Sequence, residues 1–92
     1  MRVHLIGAAI ESEAQFHAAL RDASGVEWYG ANNLDALFDL LVGVVHPPIE
    51  IVWTGAAASR AAIGERFDRL VAVILDAVAY RGGDAIRFKL ES

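Results

Sequence analysis
Polar and apolar residues alternate with a period of two in three short stretches of this chain, and with a helical period in the segments between them. Arg2–Ile6 places Val3 and Leu5 on one side and Arg2 and His4 on the other, which suits a strand. Ile49–Thr54 puts Ile49, Ile51 and Trp53 opposite Glu50, Val52 and Thr54. Ala85–Leu90 sets Ile86, Phe88 and Leu90 against Arg87 and Lys89. Each of these strands therefore has an apolar face and a more polar one.

The intervening segments read as helices. Ser12 opens a capping box, S-E-A-Q, in which the hydroxyl of Ser12 and the side chain of Gln15 exchange bonds with each other's backbone amides. Phe16, Ala19, Leu20 and Ala23 then supply an apolar stripe, and Gly25 is a natural stop. His17 falls off that stripe and is expected to face water. Leu34, Leu37, Phe38 and Leu41 repeat at i, i+3, i+4 and i+7, with Asn32 or Asn33 as the N-cap and Gly43 closing the pattern. His46-Pro47-Pro48 cannot continue a helix. The run Ala56–Ile63 is a short helix, and Gly64 either breaks it or lies within one longer helix, since an interior glycine costs only about 1 kcal/mol. From Glu65 a wide stripe follows, made of Phe67, Leu70, Val71, Ile74, Leu75 and Val78, and it ends at Gly82-Gly83.

Every strand-to-strand connection is long enough for a helical crossover, which predicts a parallel arrangement. Parallel sheets are usually covered on both faces. Strands with one polar face instead predict a two-layer α/β domain over residues 1–92, three parallel strands with helices on one face.

Composition narrows the function. The chain has 92 residues, 55% hydrophobic and 22% charged, enough for a modest core and incompatible with a disordered tail. Its net charge of −4 weighs against nucleic-acid binding, which needs a basic surface. The absence of cysteine excludes disulfides, thiol chemistry and Cys-based zinc sites. His4 interrupts the first apolar run and Glu11 and Glu13 follow, so a first strand is the better reading than a signal peptide. Leu70–Leu75 is far too short to span a bilayer. A cytoplasmic protein is expected. The sequence contains no GxSxG, no HExxH and no glycine-rich phosphate loop, and its three histidines sit in three different elements. Asp35 and Asp39 could hold Mg²⁺ only with a phosphate substrate to share it, which nothing nearby suggests. No enzyme, no cofactor and no metal are expected.

One stretch stands apart. Asp35 and Asp39 lie one turn apart on a shared face of the helix beginning at Leu34. They repel by roughly 0.2–0.5 kcal/mol if exposed. No Lys or Arg occurs between Asp22 and Val52 to relieve them. The helix dipole favours Asp35 in the first turn and helps Asp39 little. The face is either a solvated acidic surface or one kept free for a cationic partner. A similar choice arises on the last helix, where Ala72, Val73 and Tyr80 flank Asp76. That outer face meets either a second packing layer or a partner protein, and the partner reading makes the chain a non-enzymatic interaction module.

The string Trp28, Tyr29, Gly30, Asn33, Leu34, Asp35, Ala36, Leu37, Phe38 and Asp39, followed by proline and an apolar strand, resembles the barstar family of intracellular inhibitors of secreted microbial ribonucleases. The resemblance implies the same architecture and a 1:1 complex with a guanyl-specific, barnase-like ribonuclease, or immunity against a related toxin. It also implies a binding surface made of Trp28, Tyr29, Gly30, Asn33, Asp35, Phe38, Asp39 and Val42. Asp76 joins them if the closing loop Val78–Gly83 carries one extra residue. Asp39 is then the phosphate mimic. The chain departs from the family pattern in a loop one residue longer before Leu34. Ala31 stands where an acid is common, Phe38 and Val44 where tryptophan is frequent, and His46 near an often acidic position. These differences imply a less anionic face and a divergent target.

Overall fold
A computed structural model describes residues 1–26, 33–44 and 46–92 of the chain. Three parallel strands, β1 (Arg2–Ile6), β2 (Ile49–Thr54) and β3 (Ile86–Leu90), form a sheet in the order β1-β2-β3. Arg2 pairs with Glu50 and Ile6 with Thr54, while Ile49 pairs with Ile86 and Trp53 with Leu90. Between β1 and β2 lie α1 (Glu13–Ser24) and α2 (Leu34–Asp39), the latter continued by a π-helical turn over Leu40–Val44. Between β2 and β3 lie α3 (Ala56–Ile63) and α4 (Glu65–Arg81). The parallel α/β architecture expected from the alternation is the one observed.

The core fills the helix-covered side of the sheet. Val3, Leu5, Ile49, Ile51, Trp53 and Ile86 point into it from the strands, while Arg2, His4 and Ile6 are exposed. Val52 departs from the expected polar face: it is buried on the open side, in register between His4 and Lys89, whose side chains flank it. The third strand begins at Ile86 rather than Ala85, because the Ala85 amide donates to the Gly82 carbonyl at 3.0 Å and closes a turn. Trp53 is the centre of the core, with ring centroids 5.1 Å from Phe16 and 5.0 Å from Phe67. Its indole Nε1 donates to Ser59 Oγ at 3.2 Å, and Ser59 Oγ donates to the Gly7 carbonyl at 2.9 Å. These bonds tie the ends of β1 and β2 to α3. Gly7 also lies so close to Gly55 that a Cβ there would overlap the Gly55 carbonyl.

Three local expectations change. The Ser12 hydroxyl accepts from the Gln15 amide at 3.2 Å, but the Gln15 side chain accepts from the Glu11 amide at 2.7 Å, one residue before the predicted partner. His17 is buried instead of facing water, and Ala23 of the predicted stripe is exposed. The reason lies in α4: Arg66 Nε pairs with Glu13 Oε1 at 2.7 Å, Glu13 Oε2 meets His17 Nε2 at 3.1 Å, and the imidazole packs edge-on against Phe16 at 5.4 Å. A helical wheel of α1 contains Glu13 and Phe16 but not Arg66, which comes from α4. Gly64, at φ 74 and ψ −140, ends α3 and starts α4, so the two helices are separate. On α4 the buried stripe runs through Phe67, Leu70, Ile74 and Ala77, and Leu75 is 52% exposed instead of joining it. No helix among the described residues is long and apolar enough to cross a membrane.

Candidate functional site
The acidic helix is built from its cap upward. Asn33 is the N-cap, its Oδ1 accepting from the Ala36 amide at 2.8 Å and its carbonyl from the Leu37 amide at 3.1 Å. Of the predicted stripe, Leu37 and Leu41 are buried and Leu34 and Phe38 half-buried. At Leu40 the hydrogen-bond ladder widens into the π-helical turn. The turn lets both Leu40 and Leu41 reach the core, although a regular α-helix separates consecutive side chains by about 100°. From the last turn of α4, Arg81 Nη1 donates to the Leu41 carbonyl at 2.9 Å and so holds the turn against α4. In the sequence Arg81 is simply a basic residue just before Gly82-Gly83 at the end of the last helix. Its partner is a main-chain carbonyl forty residues away, which no local pattern reveals.

Asp35 and Asp39 emerge on the solvent side of α2, both exposed. Val42 follows them, half-buried, one turn after Phe38, and Gly43 is exposed. Phe38 makes an edge-to-face contact with Tyr80 of α4, with ring centroids 5.9 Å apart and planes at 71°. Asp76, also exposed, lies one turn before Tyr80 on α4. Asn33, Asp35, Phe38, Asp39 and Val42 thus share α2 and its extension. The Phe38–Tyr80 contact couples this helix to the part of α4 that carries Asp76. Trp28, Tyr29 and Gly30 lie outside the described residues.

Electrostatically the three aspartates are exposed acids outside the ion pairs of the described residues, as Glu11, Glu65 and Asp84 also are. Elsewhere the ion pairs are Arg2–Glu50 at 3.0 Å, Arg66–Glu13 at 2.7 Å, and looser contacts of Arg21 with Asp22, Arg60 with Asp68 and Lys89 with Glu91. Among the described residues none of Asp35, Asp39 and Asp76 enters an ion pair. Among the described residues these carboxylates on α2 and α4 are exposed and have no cation paired with them, while several of the cations are engaged elsewhere.

A cleft of about 530 Å³ is lined by Met1, Arg2, Pro48, Ile49, Glu50, Asp84 and Arg87 at the opening ends of the strands, and it includes no residue of α2 or α4. His4 bonds Thr54 Oγ1 at 3.0 Å, His17 bonds Glu13, and His46 is exposed. No group of three or more His, Asp or Glu residues among the described ones is arranged to hold a metal ion.

The chain is a small parallel α/β scaffold with exposed carboxylates on α2 and α4. The family model for barstar, the barnase inhibitor, matches residues 1–92, the whole chain. The chain belongs to the barstar family, whose members are inhibitors rather than enzymes. No curated protein matches it.

Proposed function
We propose that residues 1–92 act as one domain that inhibits a secreted guanyl-specific ribonuclease of the barnase type in a 1:1 complex. The observation that carries this reading is a barstar family match over the full chain, together with exposed carboxylates on α2 that no cation among the described residues pairs with. A ribonuclease binds phosphates with arginine, lysine and histidine in its cleft. A helix with fixed carboxylates fills the same positions with charge-assisted hydrogen bonds, which are among the stronger contacts available to a protein.

In this reading Asp39 stands in for a phosphate and Asp35 flanks it. Asn33 sets the start of the helix, and Phe38 and Val42 supply apolar contact beside the carboxylates. Trp28, Tyr29 and Gly30 form the aromatic loop against the enzyme, and Asp76 adds a carboxylate from α4. The protein works in the bacterial cytoplasm, where it protects its host from the ribonuclease or from a related toxin. The divergent positions Ala31, Phe38, Val44 and His46 favour a target that differs from the usual one.

The test is titration of the protein into RNA cleavage by a panel of secreted guanyl-specific ribonucleases, with Asp39→Ala alongside. Because Asp39 is exposed and unpaired, the substitution should leave folding within about 0.5 kcal/mol. At a binding hot spot it should weaken the complex by about 2 kcal/mol or more. Stoichiometric inhibition that is lost in the variant supports the reading. Undiminished inhibition by Asp39→Ala moves the site off α2, and failure to inhibit any enzyme refutes the function.

A further inference from the structure
The strand β3 lies at the edge of the sheet, with β2 as its only neighbour in the order β1-β2-β3. The Ile49 amide donates to the Ala85 carbonyl at 2.7 Å, and the Glu91 amide to the Trp53 carbonyl at 2.8 Å. Backbone groups alternate in direction along a strand, so Ala85, Arg87, Lys89 and Glu91 turn theirs towards β2. Those of Ile86, Phe88 and Leu90 turn outward. The Ile86 amide finds the Gly82 carbonyl at 3.2 Å. The amides and carbonyls of Phe88 and Leu90 have no such partner among the described residues.

The side chains of β3 sort by face. On the helix side Ile86 is buried, Phe88 half-buried and Leu90 42% exposed, so the apolar row runs out towards water. Arg87 and Lys89 stand exposed on the open side. Arg87 pairs in register with Glu50, but that carboxylate is taken by Arg2 at 3.0 Å, and Arg87 enters no ion pair among the described residues. Lys89 has a contact of 4.0 Å with Glu91, at the outer limit of an ion pair. Two cations thus flank an edge whose main chain is unsatisfied.

Charges on an edge strand ordinarily keep strands apart. Here their common sign makes them selective. Against a second copy of β3, antiparallel about Phe88, Arg87 would face Lys89, and like charges directly opposite destabilise a sheet. The same two charges favour a strand that carries acids on the open side. In such strand addition the backbone bonds give affinity and alternate side chains give specificity.

We propose that the free edge of β3 is a docking site for an extended segment of another protein in which acidic and apolar residues alternate. Its acids meet Arg87 and Lys89, and its apolar side chains cover Phe88 and Leu90. β3 carries none of the residues assigned to the ribonuclease, so the proposal stands or falls independently of the inhibitor reading.

The probe is a capped heptapeptide of alternating glutamate and valine, added to the full chain at millimolar concentration. Amide hydrogen exchange read by NMR should slow about tenfold or more at Phe88 and Leu90. The peptide with lysine in place of glutamate should bind about tenfold more weakly, in line with two cross-strand charge pairs that change sign. In Arg87→Glu/Lys89→Glu, with circular dichroism to verify folding, the preference should reverse. N-methylation of the valines removes the donors that face β3 in an antiparallel pairing, and N-methylation of the glutamates does so in a parallel one. One of the two should abolish the protection.

Unchanged exchange at Phe88 and Leu90, or equal binding of the glutamate and lysine peptides, overturns the proposal. So does binding that survives both methylations, which would put the peptide on the sheet face instead of its edge. Protection that grows with protein concentration in the absence of peptide would assign the edge to a second copy, and it too would overturn the acidic partner.

Discussion

Replacing Ser59 by alanine removes one buried oxygen and leaves two partners behind. Ser59 is fully buried, accepts from Trp53 Nε1 at 3.2 Å and donates to the Gly7 carbonyl at 2.9 Å. The two losses differ. The Gly7 carbonyl still accepts from the Ile10 amide at 3.0 Å, so it forfeits one of two bonds, worth about 0.5–1.5 kcal/mol. The indole N–H has no substitute beside it and incurs the desolvation penalty of a buried donor, about 1–3 kcal/mol. Alanine is the better helix former and returns at most a few tenths of a kcal/mol within α3, on a scale that spans about 0.7 kcal/mol for ordinary residues. The net expectation is a destabilisation of about 2–3 kcal/mol, or roughly 10–20 °C in Tm for a chain of this size. Urea unfolding followed by tryptophan fluorescence and far-UV circular dichroism measures it. In a Trp53→Phe background the Ser59→Ala effect should shrink towards the value of the Gly7 bond alone. A loss below 0.5 kcal/mol, or equal losses in the two backgrounds, would refute the proposed linkage of Trp53, Ser59 and Gly7.

Two further substitutions test other parts of the frame. In Gly7→Ala the new Cβ meets main-chain atoms of Gly55 and Thr54, which cannot turn aside as a flexible side chain would, so a loss of about 3 kcal/mol or more or failure to fold is expected, read by thermal melting. His17→Ala empties a fully buried site and removes a partner of Glu13, and should cost about 2–3 kcal/mol in urea unfolding. A histidine facing solvent would change stability by less than about 0.5 kcal/mol.

How far the fold was legible follows from what each signal measures. The two-residue alternation reports a local preference for one buried face; it held in Arg2–Ile6, and in Ile49–Thr54 it held except at Val52, which is buried on the other face. The helix end at Gly25 was readable because a cap is made by residues a few positions away, whereas the sequence left open whether Asn32 or Asn33 caps α2 and whether Gly64 breaks the helix, and the structure decides both. His17, Ser59 and Leu40 were not readable. Each is decided by something distant in sequence: Arg66 through Glu13 for His17, Gly7 and Trp53 for Ser59, and the widened turn packed on α4 for Leu40. Leu75 shows the same limit from the opposite side, since a periodic apolar position carries no information on whether anything lies against it. The acidic face of α2 was visible because the absence of Lys and Arg between Asp22 and Val52 is a property of the string itself. Its coupling to Tyr80 was not visible, because Phe38 and Tyr80 meet only when α2 and α4 pack.

The register of the sheet has a kinetic meaning. Arg2 must find Glu50, and Ile49 must find Ile86, so neither strand pairing can begin from a local hairpin. Each closes a long loop before any of its contacts form, which slows folding relative to a helical bundle of equal length. The acidic helix lies wholly inside the first of these loops. Its carboxylates reach their final geometry only when β1 and β2 have joined across it, so the acidic face is completed by the slowest class of contact that the chain makes.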